Sequence, residues 1–314
     1  METILPIKPL ISIVICTYNN ADSLKLTIQQ LLKQSVNEPA QFEIIVIDNK
    51  STDHTSAVIH SFHSDRFSYQ TLFESRQGLS HARNTGINAA QGDYILFTDD
   101  DAELPNNWLS NYLEEIQSSN ADCIFGKISV IWDQQKPWWY DDRYRGFFAV
   151  IDYGNENFQV LTKSKPFFGK NFCIKKSFLI EMGGFDPKLG RNGEELLGGE
   201  EILVFNRLID TRKKVIYSTN ITVGHRLKPR EYTEENIKKQ YLACSKAIFQ
   251  IAKTQPGMRL GTRPLGVLEL QIKEAIAAFF LMVKFRLQGN SIETFFNTLR
   301  LSRAIKTIKL WIKN

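Results

Sequence analysis

The sequence predicts an α/β protein: a mostly parallel sheet flanked by helices, with a helical extension at the C-terminal end. Three observations carry this. Residues 10–16 (LISIVIC) and 42–47 (FEIIVI) are unbroken apolar, β-branched runs, the pattern of strands buried on both faces. Helical segments alternate with these and with two further strands, at 67–73 and 94–98. The resulting β-α-β-α-β-α-β order implies parallel strands with helices packed on the sheet. Beyond residue 233 the pattern is helical to the end.

In order, Thr17-Tyr18-Asn19-Asn20 breaks the first strand, and Asp22 or Ser23 caps a helix to about Gln34. The second strand ends in Asp48-Asn49, and an Ala-, Val- and Ile-rich helix follows to about His63. A helix of small residues over 80–90 precedes the fourth strand. A helix over 108–118 and a strand over 123–132 come next. Residues 137–148 are aromatic-rich, interleaved with Asp141, Asp142, Arg143 and Arg145. A turn and strand over 167–174 lead to a short helix at 177–182, ended by Gly183-Gly184-Phe185-Asp186. After a polar, Gly-rich loop at 190–199, Glu200-Glu201 opens a helix with Ile202, Phe205, Leu208 and Ile209 at helical spacing. Short strands at 214–217 and 221–223 lead to Gly224-His225-Arg226. Helices over 234–253, 267–286 and 292–312 are separated by Gln255-Pro256-Gly257 and Gly289-Asn290.

The 314 residues are 43% hydrophobic and 23% charged, the composition of a folded globular chain. Net charge is +5, but from Lys253 onward 11 Lys/Arg face 3 Asp/Glu, a balance of +8 that leaves −3 on the rest. A nucleic-acid-binding body is therefore not expected; a basic tail meeting an anionic surface is. The last helix carries Arg300, Arg303, Lys306, Lys309 and Lys313 beside apolar positions that include Phe295, Leu299 and Trp311. It suits either a membrane surface or packing with a solvated basic face. Cys16, Cys123, Cys173 and Cys244 form no CxxC pair, which argues against zinc and for reduced thiols. METILPIKPL has no signal-peptide pattern, and the longest uncharged apolar run, 275–283, is far short of the roughly 20 residues that span a bilayer. A cytoplasmic protein, peripheral at the inner face of the membrane if it binds there, is the expectation.

The chemistry centres on Gly92-to-Trp108, GDYILFTDDDAELPNNW, where an apolar strand delivers Asp99, Asp100 and Asp101 to one point. Three adjacent carboxylates need a counter-charge unless water solvates them. Alternation would turn Asp99 and Asp101 to the same side, and hard oxygens suit Mg2+ or Mn2+. A solvated acidic turn fits DDD alone equally well. Ligands of open α/β sheets bind at the carboxyl ends of strands. Thr17-Tyr18-Asn19 and Asp48-Asn49 mark two more such ends. No GxGxxG follows the first strand and no GxxxxGK[ST] occurs, which disfavours dinucleotide and P-loop sites. Glu200-Glu201 reads as a helix N-terminus favoured by the dipole, or as a carboxylate base at a pocket rim. His225 after its short strand, and Trp138 and Trp139 as sugar-stacking rings, are candidates with equally ordinary structural readings.

In combination, ISIVICTYNN, FEIIVIDNKSTDHT, GLSHARNTGINAAQGDYILFTDDD, GGFD and GGEEILVFNRL resemble the family 2 glycosyltransferases, over roughly residues 10–230. The resemblance implies a GT-A, Rossmann-like fold in residues 1–230, with a nucleotide-binding half at about 10–132 and an acceptor half at about 133–230. Residues 231–314 would form the basic helical extension. It implies inverting transfer from a nucleotide diphosphate sugar, with uracil as the expected base, to a glycan or lipid-linked acceptor in polysaccharide biosynthesis. Thr17, Tyr18 and Asn19 would line the nucleotide pocket, Asp48 would bind the base, and Arg83 and Asn84 would flank the donor. Asp99 and Asp101 would be the DxD pair, Asp99 and Asp100 toward the donor and Asp101, with His225, toward a divalent metal (Mn2+ or Mg2+). Glu201 would be the general base, and Trp138, Trp139 and Glu200 would lie toward the acceptor. Two features depart from the family pattern. Tyr-Asn-Asn ends the first strand, and the base motif is Glu-Glu, not Glu-Asp, with Glu194-Glu195 a nearby rival. A nucleotidyltransferase would need a basic Gly-rich loop that TYNNADS does not supply. An inactive glycan-binding relative would not need intact acidic motifs.

Overall fold

The computed structural model describes residues 9–192, 198–254 and 257–313. The N-terminal segment METILPIK, the pair Glu194-Glu195 and the break at Gln255-Pro256 lie outside them.

The strands are β1 (Ile11–Thr17), β2 (Phe42–Asp48), β3 (Ser68–Phe73), β4 (Tyr94–Asp99), β5 (Ala102–Glu103), β6 (Cys123–Ile131), β7 (Phe158–Gln159), β8 (Phe172–Lys175) and β9 (Val215–Arg226). The helices are α1 (Ala21–Leu32), α2 (Thr55–His60), α3 (Leu79–Ala89), α4 (Trp108–Ser119), α5 (Lys176–Glu181), α6 (Glu200–Asp210), α7 (Glu234–Thr254), α8 (Leu265–Leu287) and α9 (Ser291–Lys313). The main sheet has the order β3-β2-β1-β4-β8-β6-β9-β5, with β7 on β9. The first four strands are parallel; β8 enters antiparallel between β4 and β6. The two short strands expected at 214–217 and 221–223 are one strand, β9. A register shift between Gly126 and Lys127 in its partner β6 absorbs the polar residues between them.

Because successive strand residues point to opposite faces, the runs LISIVIC and FEIIVI build two cores. Ile13, Ile15, Ile44 and Val46 pack with Leu24 and Ile28 of α1 and Leu109 and Tyr112 of α4. Val14, Ile45 and Ile47 pack with Ala82 of α3, Phe178 of α5 and Val204 and Phe205 of α6. The acid inside β2, Glu43, is tolerated because Ser12 Oγ and the N–H groups of Gln91 and Gly92 donate to it at 2.5, 2.6 and 3.2 Å. That knot fixes where β4 begins.

Two compact units can be distinguished. One comprises Met1–Ile131, Phe148–Gly193 and Glu200–Arg226; the other comprises Trp132–Phe147, Glu194–Gly199 and Leu227–Asn314. In the second unit the aromatic segment packs on the C-terminal helices. Trp139 lies 5.9 Å from Phe295 and Tyr144 5.8 Å from Phe296, ring centre to ring centre, and Arg143 pairs with Glu293 at 2.8 Å. Among the described residues no helix is long and apolar enough to cross a membrane.

Candidate active site

Parallel register lines up the strand ends. Thr17 lies opposite Asp48, and Cys16 opposite Asp99. Asp48 is buried, and its Oδ1 accepts the N–H of Ser51 at 2.9 Å. Asn19 is left-handed at φ 48°, which lets its Oδ1 accept the N–H of Thr52 at 2.7 Å. Tyr18 between them is exposed.

The three aspartates divide. Asp100 turns toward β1, where Thr17 Oγ1 and Asn20 Nδ2 each donate to it at 2.7 Å. Burial and the neighbouring Asp101 charge push Asp100 up to about 7 against those hydrogen bonds. Asp99 and Asp101 share the buried ammonium of Lys170, which lies 2.9 Å from Asp99 Oδ2 and is hydrogen-bonded to Asp101 Oδ1. Burial works to raise both carboxyls; Lys170 nonetheless holds Asp99 below its ordinary value, and Lys170 with His225 holds Asp101 well below. Lys170→Met should therefore destabilise the metal-free protein by about 1–3 kcal/mol, because it leaves two carboxylates side by side that water only partly reaches, Asp99 with a side chain 33% exposed and Asp101 15%. Urea unfolding with an unchanged m-value measures this; a loss below about 1 kcal/mol would mean the pair is adequately solvated.

Lys170 was not legible as a site residue. Its signal, a lysine set among Phe167, Phe168 and the buried strand that follows, is faint in a chain with 39 Lys/Arg.

Arg83 of α3 links this cluster to α6. It is buried, its Nη1 lies 2.6 Å from Glu200 Oε1 and its Nη2 3.9 Å from Asp99 Oδ1. Its guanidinium sits 5.2 Å from the Phe185 ring centre and 5.9 Å from that of Phe97. Gly169 makes room for it: a Cβ there would fall 2.0 Å from Nη2. Glu200 is thus an ion-pair partner of the fold. Glu201, which among the described residues has no such cation beside it in the hydrogen-bond network, keeps a buried Oε2 with no hydrogen-bond partner; the second oxygen of Glu200 is likewise without one. Burial first, then the charge of Glu200, raise Glu201 to about 8 against the pull of Arg83. Asn84, one residue on from Arg83, is engaged elsewhere. It exchanges hydrogen bonds of 2.9 and 2.8 Å with the backbone of Phe185 and so holds the 183–186 turn.

His225 lies at the far end of β9. Its Nδ1 is 2.8 Å from the carbonyl oxygen of Phe148 and its Nε2 is 3.2 Å from Asp101 Oδ2. A carbonyl only accepts, so Nδ1 carries the proton and Nε2 faces a carboxylate. That edge needs either a second proton or a shared cation. A His that donates its other N–H to a backbone carbonyl is the usual arrangement of a metal ligand. Among the described residues no group of three or more His, Cys, Asp or Glu converges on a metal position. Asp101 and His225 are a carboxylate and an imidazole that could hold a divalent ion here, which would supply positive charge beside a bound phosphate. Next to His225, Arg226 donates from Nη2 to Thr27 Oγ1 at 2.6 Å, while its buried Nε and Nη1 have no partner.

Trp138 and Trp139 belong to the second unit. Trp139 is buried, 5.3 Å from Tyr144 ring to ring, and has no open face for a sugar; aromatic composition alone could not separate plug from platform. Trp138 is exposed, with its Nε1 donating to Glu234 at 3.2 Å.

Residues 12–183 match the family model described as Glycosyl transferase family 2. The chain is 24% identical over 231 residues to the glucosyl-dolichyl phosphate glucuronosyltransferase of Haloferax volcanii, covering 69% of each chain. It is 30% identical over 241 residues to the glycosyltransferase GlyG of Streptococcus pneumoniae, covering 76% of this chain and 67% of that one. In fold it resembles the mannosyltransferase PcManGT from Pyrobaculum calidifontis, solved with GDP-Man and Mn2+. The TM-score is 0.62 at 18% identity, over 98% of this chain and 88% of the other. More than half the chain lies within the family match and the sheet has the corresponding architecture, so the chain belongs to glycosyl transferase family 2 and is a glycosyltransferase of GT-A fold.

Proposed function

We propose that this enzyme transfers a sugar, with inversion, from a nucleotide diphosphate sugar, of which a UDP-sugar is the expected one, to a hydroxyl of a lipid-linked or glycan acceptor in polysaccharide biosynthesis. The observation that carries this reading is one chain of charge, buried at His225, Lys170, Arg83 and Glu200 and partly open at the two aspartates. It runs from His225 and Asp101 through Lys170 and Asp99 to Arg83 and Glu200, beside the unengaged carboxyl oxygen of Glu201. Donor-holding and proton-accepting groups are thereby fixed to one another, although about 100 residues separate Asp101 from Glu201. The lipid-linked acceptor takes support from the Haloferax relative, whose name specifies a glucosyl-dolichyl phosphate.

In this reading Thr17, Tyr18, Asn19 and Asp48 receive the nucleotide, and Asp99 with Asp100 orients the sugar-bearing end. Glu201 takes the proton of the acceptor hydroxyl as its oxygen attacks the anomeric carbon. One carbon–oxygen bond forms as the bond to the diphosphate breaks on the opposite side, so the configuration inverts without a covalent enzyme intermediate. A divalent ion on Asp101 and His225 would neutralise charge on the departing diphosphate. Arg226, with two unpartnered N–H groups near these carboxylates, is suited to the same anion.

Thermal shift with nucleotides and nucleotide sugars, with Mn2+ or Mg2+, tests the reading. A nucleotide sugar at 100 times its Kd should stabilise the fold by about 2.7 kcal/mol. No shift with any nucleotide sugar, or turnover of nucleoside triphosphates with pyrophosphate release, refutes it.

A further inference from the structure

The second unit carries a surface that sugar transfer does not explain. On α8 the side chains of Ile272, Ile276, Phe279, Phe280, Val283 and Leu287 are all exposed, Phe280 to 66% and Leu287 to 84%. Their spacing puts them on one stripe at about 100° per residue. The same periodicity places Lys273 and Lys284 along one margin and Arg286 along the other. All three cations are exposed. One of the helix's two acids, the exposed Glu269, neutralises Lys273, so the free positive charge at the margins rests on Lys284 on one side and Arg286 on the other. Glu269 pairs with Lys273 at 2.6 Å, and Glu274 pairs with Arg300 at 2.8 Å and Arg303 at 3.4 Å. Those arginines belong to α9, so Glu274 lies toward the packed side.

The last helix, by contrast, turns its aromatic side chains inward and leaves only Ile292, Ile305 and Ile312 exposed among its large apolar residues in the described part. Phe295, Leu299 and Trp311, which a lipid-facing α9 would need outside, are buried, and Trp311 Nε1 donates to the carbonyl of Pro264 at 3.0 Å. The pattern of α9 served the core of its own unit, and the face left for a partner lies on α8.

We infer that the α8 stripe is a monolayer-docking surface for an anionic lipid membrane. A large exposed apolar stripe bordered by cations on both margins is complementary to a negatively charged bilayer: apolar side chains enter the acyl boundary while Lys and Arg stay at the headgroups. Phe279 and Phe280 supply the bulky anchors. The helix lies on the membrane and does not cross it, since no described helix is long and apolar enough to do so. The surface stands on its own geometry. The proposed lipid-linked acceptor gives it a use, because a docked enzyme meets an acceptor confined to two dimensions.

Flotation of the full chain with vesicles tests this without donor or acceptor, so its outcome is separate from that of the nucleotide screen. Vesicles of 30% phosphatidylglycerol in phosphatidylcholine should carry the protein at low salt, with at least about tenfold weaker binding to pure phosphatidylcholine. Ile276→Glu with Phe280→Glu should weaken binding to the anionic vesicles by at least about tenfold. Both positions are exposed, so melting temperature and nucleotide-sugar binding should stay as in the parent. An α9 variant, Lys309→Glu with Ile312→Glu, should have the smaller effect. Three results overturn the proposal: no flotation with the anionic vesicles, flotation undiminished by the α8 pair, or a concentration-dependent dimer that the α8 pair dissolves, which would make the stripe a contact between copies.

Discussion

Glu201→Gln is expected to lower kcat by about 10²–10⁴-fold while leaving the Kd for the nucleotide sugar within about twofold of the parent, since a positioned base contributes on that scale. The amide keeps size and shape but cannot accept the acceptor's proton. Glu200→Gln should behave differently. It removes the charge that Arg83 pairs with at 2.6 Å, so stability falls together with activity. The pH dependence separates the two further. Burial and the neighbouring Glu200 charge push Glu201 up to about 8, so protonation of the base should limit activity on the acid side. The acid limb of kcat/KM should therefore rise through about pH 8, and Glu201→Gln should lose that limb. An acid limb centred near pH 4–5 would place the base elsewhere.

The same shift has an opposite consequence for stability. A carboxyl raised from its ordinary value of 4.5 to about 8 favours the folded state only while it is protonated. Its contribution is complete below about pH 4.5 and is lost as pH rises through about 8. Asp100, raised from 3.8 to about 7, acts in the same sense over a lower window. These two carboxyls should thus withdraw stability from the unliganded protein between about pH 5 and 8, a window in which Asp99 and Asp101, held low, already contribute in full, whereas activity rises toward the upper end. Catalytic competence and apo stability are set against each other by the same buried carboxyl.

The elements that pattern and strand ends specify were legible. Unbroken β-branched runs gave the buried parallel strands, and parallel register then requires Thr17, Asp48 and Asp99 to meet at one edge. What local pattern could not express is pairing across long separations. Arg83 and Glu200 are 117 residues apart, and each is ordinary where it stands: an arginine in a helix of small residues, an acid in a first helical turn. Lys170 is likewise just a lysine until the fold buries it between two aspartates. The sequence of α9 alternates apolar and basic positions, but that periodicity does not say whether a protein core or a membrane receives the apolar face. Residues 132–147 receive it, through rings such as Trp139 and Tyr144.

Asp101→Ala bears most directly on the proposed metal site. Among the described residues Asp101 is the one carboxylate that touches both Lys170 and His225. Its removal leaves His225 Nε2 without a facing partner and Lys170 with Asp99 alone, at 2.9 Å. The ammonium should then settle on Asp99, so loss of stability in the absence of metal is expected to be smaller than for Lys170→Met, which strands two like charges. Loss of function should be large: transfer reduced by at least about 10³-fold, and the stabilisation by Mn2+ with nucleotide diphosphate absent. His225→Ala should weaken Mn2+-dependent stabilisation and spare the metal-independent part of nucleotide binding, because Thr17, Asn19 and Asp48 are untouched. Calorimetric titration of nucleotide diphosphate with and without Mn2+, in both variants, separates these terms. If Asp101→Ala retains the full Mn2+ effect, the ion does not sit on this carboxylate, and Lys170 remains as the cation that holds the site together.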